Sequence, residues 1–148
     1  MNTVRFPKTK VIHAARLLLG MIFVVFGLNG FFHFLPSPPL PTAALPFVTG
    51  LFGTSYFLVL LKGTEILAGA LLLANRLVPL ALAVLAPIVV NIVAFHLFLA
   101  PASLALPLVI LALEIFLARA YAHAFRPMLA VRAEPHVAEE PSLAPAPR

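Results

Sequence analysis

Residues 55–100 read SYFLVLLKGTEILAGALLLANRLVPLALAVLAPIVVNIVAFHLFLA, two apolar runs joined by the dipeptide Asn75-Arg76. A helix rises about 1.5 Å per residue and the hydrocarbon core of a bilayer is about 30 Å thick, so roughly 20 mostly apolar residues make one crossing. Residues 55–74 and 77–100 each meet that length. The polar dipeptide between them leaves room only for a tight turn, so the two runs are expected to form an antiparallel helical hairpin.

Outward from this hairpin, residues 11–35 and 102–124 give a first and a fourth span by the same criterion, with Pro101 marking the turn before the fourth. Pro36, Pro38, Pro39, Pro41 and Pro46, with Gly50 and Gly53, are expected to stop any helix through residues 36–54 and leave an uncharged loop. The expected fold class is all-α, an integral membrane four-helix bundle. Residues 1–10 then form a basic N-terminal segment, and residues 11–127 the four-transmembrane-helix domain. Residues 128–148, rich in Pro, Ala and Glu, are expected to be a disordered tail. The basic start before an apolar run resembles a signal peptide, but the run is long and no small-x-small cleavage site follows it, so it is read as an uncleaved first span.

Composition supports lipid as the main solvent: 62% of the 148 residues are hydrophobic and only 10% are charged. With 10 Lys+Arg against 5 Asp+Glu the chain is basic, but the cations sit at the ends of apolar segments, where they meet headgroups. The expected partner is the bilayer, and nucleic acid is not expected. Cysteine is absent, which rules out disulfides, thiol nucleophiles, iron-sulfur clusters and thiolate zinc sites built from this chain. No metal site is expected.

Charge placement gives direction. Arg5, Lys8, Lys10 and Arg16 lie at the first span's start, Arg76 in the hairpin turn, and Arg119, Arg126, Arg132 and Arg148 at or beyond the end of the fourth span. The positive-inside rule then puts both termini and the Arg76 turn in the cytoplasm and the proline-rich segment outside. Lys62, inside the second span, is the exception.

Counting depth at about 1.5 Å per residue gathers polar groups in the outer half of the bundle. His33 and His96 fall near the outer surface, Asn29, Lys62 and Asn91 roughly 10 to 15 Å deep, and Glu65 and Glu114 near the midplane. The inner half is almost wholly apolar. Ionisable groups in hydrocarbon cost several kcal/mol unless paired or facing a wet cavity. Lys62 and Glu65 share a helix face, as do Asn29 and His33, whereas Asn91 and His96 are spread by about 140° unless Pro87 distorts their helix.

Two readings of this cluster stand side by side. In one, Lys62, Glu65, Asn91 and His96, with Asn29 and His33, line an outward-facing polar pocket for a headgroup or quinone ring, or pass a proton through Glu65 and a histidine. In the other they are interhelical glue, the simpler reading for Asn29 and Asn91. Glu114 is either a second proton site or a polar partner for a neighbouring helix. His33 and His96 could serve as paired axial haem ligands, although interfacial histidines more often meet water or headgroups, so haem is not expected. Gly20, Gly27, Gly30, Gly63 and Gly69 read as close-packing points between helices.

A faint duplication accompanies these groups. NGFFHF ends the first span and NIVAFHLF the third, while EILA in the second answers EIFLA in the fourth, as two hairpins related by an axis along the membrane normal would.

RLLLGMIFVVFGLNGFFHF, LLKGTEILAGALLLANRLVPLAL and APIVVNIVAFHLFLAP together resemble the DoxX family of small bacterial four-helix membrane proteins, over residues from about 14 to 127. The most telling element is Glu65 followed by the Gly69-containing apolar run and the polar turn. The resemblance implies a four-helix bundle in a bacterial inner membrane, and the family's names point to quinone-linked sulfur oxidation and oxidative-stress complexes. Related proteins that handle thiols use cysteines, so no disulfide relay is expected here. The expectation is an accessory subunit, not an enzyme on its own, whose outward pocket binds a quinone, lipid or small amphiphile beside a membrane or periplasmic redox partner or a second copy of the chain. The alternatives are a quinone-linked oxidoreductase subunit, which needs a prosthetic group, and a small transporter or proton path through Glu65 and Glu114.

Overall fold

The computed structural model describes residues 8–36, 39–129 and 131. Most of the tail from residue 128 and most of the basic N-terminal segment therefore lie outside the described residues. All regular structure among the described residues is helical: α1 (Lys8–Phe32), α2 (Leu45–Phe52), α3 (Ser55–Leu73), α4 (Val78–Leu99), α5 (Ala105–Ala120) and α6 (Ala122–Phe125), with short 3-10 turns at Thr42–Ala44, Pro101–Ser103 and Pro127–Leu129. Helices α1, α3 and α4 are long and apolar enough to cross a membrane. The chain is a bundle in which α1 packs on α3 and α5, and α4 packs on the same two helices from the other side.

The α1–α3 contact is the most extensive and is built on glycine. A Cβ added at Gly20 would stand 2.9 Å from the Gly69 carbonyl oxygen, and one added at Gly69 would stand 2.9 Å from that of Gly20. Two backbones can approach this closely only where neither carries a side chain. Further along, Gly27 meets Ile66 and Gly30 meets Lys62, so residue numbers rise on α1 as they fall on α3 and the helices are antiparallel.

Where α1 passes the end of α3, the buried Arg16 donates from Nη1 to the carbonyls of Leu72 and Leu73. Terminal carbonyls have no partner within their own helix and carry the negative end of its dipole, which a guanidinium complements. The hairpin after α3 is a Schellman turn. Asn75 takes the left-handed conformation (φ 55°), its N–H donates to the Leu72 carbonyl, and the Arg76 N–H donates to that of Leu71. Leu77 is also left-handed (φ 47°), and Pro79 follows at the start of α4, where a missing N–H costs nothing.

The core joins Leu19 and Phe23 of α1, Ala68 and Leu72 of α3, Leu82, Leu85 and Val89 of α4, and Ile110 and Leu117 of α5. Large apolar side chains also cover the outside: Leu67 is 64% exposed, Val90 64% and Phe98 76%. Such a surface is stable against hydrocarbon and not against water.

Three expectations change. The proline-rich stretch 36–54 is not all loop, because Pro46 sits in the first turn of α2 and there starts a helix instead of breaking one. Helix α1 stops at Phe32, short of residue 35: His33 turns left-handed (φ 50°), and the Asn29 side-chain oxygen accepts the Leu35 N–H at 2.7 Å. The fourth segment, expected over 102–124, is divided. Pro107 lies in the first turn of α5, a position that tolerates it, and the backbone leaves helical geometry at Tyr121. The 16 residues of α5 span about 24 Å.

Candidate functional site

Lys62 and Glu65 lie one turn apart on α3, and the Lys62 ammonium donates to both carboxylate oxygens, at 2.8 Å to Oε2 and 3.1 Å to Oε1. Glu65 is buried, at 2% exposure, and Lys62 half-buried. The lysine stem is seated by the opposite helix. A Cβ at Gly30 would fall 2.6 Å from Lys62 Cγ and 2.7 Å from Cδ, so the absence of a side chain there leaves the groove in which the stem lies. A lysine ammonium carries three N–H donors. Two are spent on Glu65, and one is left for another acceptor.

Two cavities meet at this pair. The larger, about 400 Å³, is walled by Ile22, Phe23 and Phe26 of α1, Ile92 and His96 of α4, and Leu106, Pro107 and Ile110 of α5, with Ser103 at the loop. The smaller, about 170 Å³, lies between α2, α3 and α4 and is walled by Phe47, Val48, Leu51, Phe52, Asn91 and Phe95. Lys62, Glu65, Ile92 and His96 line both. The ion pair and the imidazole thus stand at the boundary between two mainly apolar spaces.

His96 is oriented by its own helix: its Nδ1 lies 2.8 Å from the Ile92 carbonyl oxygen. A carbonyl only accepts, so Nδ1 carries the hydrogen, and in the neutral tautomer that this bond selects Nε2 is the acceptor. The ring sits edge-on to Phe95 at 5.1 Å, and Phe95 in turn packs against Phe47 of α2 at 5.4 Å. Helix α2 is in this way tied to the imidazole through two aromatic contacts.

The sequence-derived candidates divide. Lys62, Glu65, Asn91 and His96 come together around the smaller cavity, so the wide angular spread between Asn91 and His96 does not separate them. Asn29 and His33 are elsewhere. The Asn29 side chain caps the end of α1, and His33 is exposed beyond that end and lines neither cavity. Glu114 is buried on α5 at 6% exposure and lines a third cavity, of about 570 Å³, between α4 and α5 toward the Arg76 end. Its Oε2 has no hydrogen-bond partner among the described residues. The almost wholly apolar half of the bundle thus holds the largest of these three cavities.

Sequence reasoning also missed Ser103, the Phe47–Phe95 contact and the seat that Gly30 gives Lys62. The last was visible only as a glycine spacing on the first span. Among the described residues, no cluster of three or more His, Cys, Asp or Glu side chains could hold a metal ion. Comparison with protein-family models, with curated proteins and with solved structures gives no match.

The chemistry of the site follows from its groups. A free N–H on Lys62 and a lone pair on His96 Nε2 suit a small head that both accepts and donates hydrogen bonds, and the aromatic and aliphatic walls suit an apolar body.

Proposed function

We propose that this chain is a DoxX-like integral membrane protein, crossing the bilayer four times with both ends in the cytoplasm. It acts as an accessory subunit whose outward-facing cavity holds a quinone, a lipid or another small amphiphile within a redox or oxidative-stress complex of the bacterial inner membrane. The single observation that carries this reading is the Lys62–Glu65 pair, buried where two apolar cavities meet. Burying an ion pair in an apolar setting gains little stability over packed hydrophobic residues, so its presence there supports a ligand that uses it. The positive-inside distribution supports the orientation, since the cavity lies at the end of the bundle remote from Arg76, Arg119 and Arg126. Segments α5 and α6, with the flanking 3-10 turns, supply the fourth crossing.

Native mass spectrometry of the protein in nanodiscs of bacterial lipid, with added ubiquinone, tests the reading. The wild type retains the quinone or a defined lipid, and the paired substitution Lys62→Leu with Glu65→Met loses it. Retention unchanged in that variant, with only a shift in thermal stability, would reduce the pair to packing.

A further inference from the structure

The cavity between α4 and α5 is a second site, independent of the outward one, and we infer that it takes one acidic phospholipid from the leaflet at the Arg76 end. Its walls are aliphatic, from Leu82, Val89, Leu111 and Ile115, and its volume is about 570 Å³. Arg119 and Arg126 line the same cavity, both on exposed residues, and neither pairs with a carboxylate among the described residues. Guanidinium groups bind phosphate through paired N–H donors, and basic pockets between membrane helices favour anionic headgroups.

The third feature is Glu114. It is more than nine-tenths buried, lines this cavity, and leaves Oε2 without a hydrogen-bond partner. It stands five residues before Arg119, about 7.5 Å deeper along the helix. A glycerophospholipid places its ester carbonyls one glycerol unit below the phosphate, so the Glu114 carboxyl, when it holds a proton, can donate its O–H to an ester carbonyl while the phosphate meets the arginines and an acyl chain follows the aliphatic wall. A zwitterionic lipid brings its own cation to the phosphate and gains less from the arginines.

Native mass spectrometry of the full-length protein in detergent, titrated separately with phosphatidylglycerol and with phosphatidylcholine of the same acyl chains, tests this. Phosphatidylglycerol is retained about tenfold more strongly by the wild type, and Arg119→Gln with Arg126→Gln removes that preference. Glu114→Gln, which keeps a donor, binds phosphatidylglycerol within about twofold of wild type, whereas Glu114→Leu, which removes a buried polar group and should fold well, weakens it roughly fivefold. Equal retention of the two lipids by the wild type, a preference that survives the double arginine substitution, or wild-type binding by Glu114→Leu would each overturn the assignment.

Discussion

Lys62 reaches Glu65 along a groove that exists because residue 30 has no side chain, and a Cβ at Gly30 would press on Cγ, Cδ and Cε of the lysine stem at 2.6 to 3.0 Å. Gly30→Ala therefore shifts the stem without touching the charge. Because the stem is flexible, the cost in stability is expected to stay below about 1 kcal/mol. If the cavity beside the pair holds the proposed quinone or lipid, its retention is expected to fall several-fold, read by native mass spectrometry alongside a thermal melt in detergent.

Gly20 and Gly69 differ from Gly30 because each opposes backbone, not a flexible side chain. A carbonyl cannot move aside without moving its helix. Gly20→Ala and Gly69→Ala are each expected to cost about 1 to 3 kcal/mol by separating α1 from α3, measured as loss of helical signal on detergent unfolding.

Removing one member of the Lys62–Glu65 pair should hurt more than removing both. Lys62→Leu leaves Glu65 buried with no counter-charge and is expected to destabilise by about 3 kcal/mol, while Lys62→Leu with Glu65→Met is expected to fall within about 1 kcal/mol of wild type or to exceed it. Unfolding curves of the wild type, both single variants and the double variant check the ordering.

Arg16 holds the end of α3 through the carbonyls of Leu72 and Leu73. Arg16→Gln shortens the reach and removes the charge that faces the helix terminus. The expected loss is about 1 to 3 kcal/mol, with hydrogen exchange rising first at the Ala74–Leu77 turn.

The apolar runs announced the long helices because lipid leaves few alternatives to helix for a run of that length. Lys62 and Glu65 stood out for the same reason, as charges that an apolar segment does not otherwise carry. Other features needed the tertiary structure. Pro46 reads as a breaker in a composition count and as a helix start once its place in the first turn is known. Asn29 and His33 share a helical face by spacing, but α1 ends one residue before His33, so their roles are local to that end. The cavity around Glu114 could not be read from sequence, since a void depends on how α4 and α5 pack, although Glu114 itself stood out as a carboxylate in an apolar segment.

The absence of cysteine makes the most direct test simple, because a single introduced thiol has no competitor in the chain. Ser103 lines the larger cavity beside the Lys62–Glu65 pair, and Asn75 lies in the turn at the opposite end. An outward-facing, ligand-holding cavity predicts that Ser103→Cys in intact cells reacts with a membrane-impermeant maleimide added outside, while Asn75→Cys reacts only after the membrane is opened. It predicts further that ubiquinone or a short-chain analogue slows the reaction at residue 103, and that Lys62→Leu with Glu65→Met abolishes the protection. Labelling of residue 75 from outside, or protection at residue 103 that is indifferent to the pair, would contradict it.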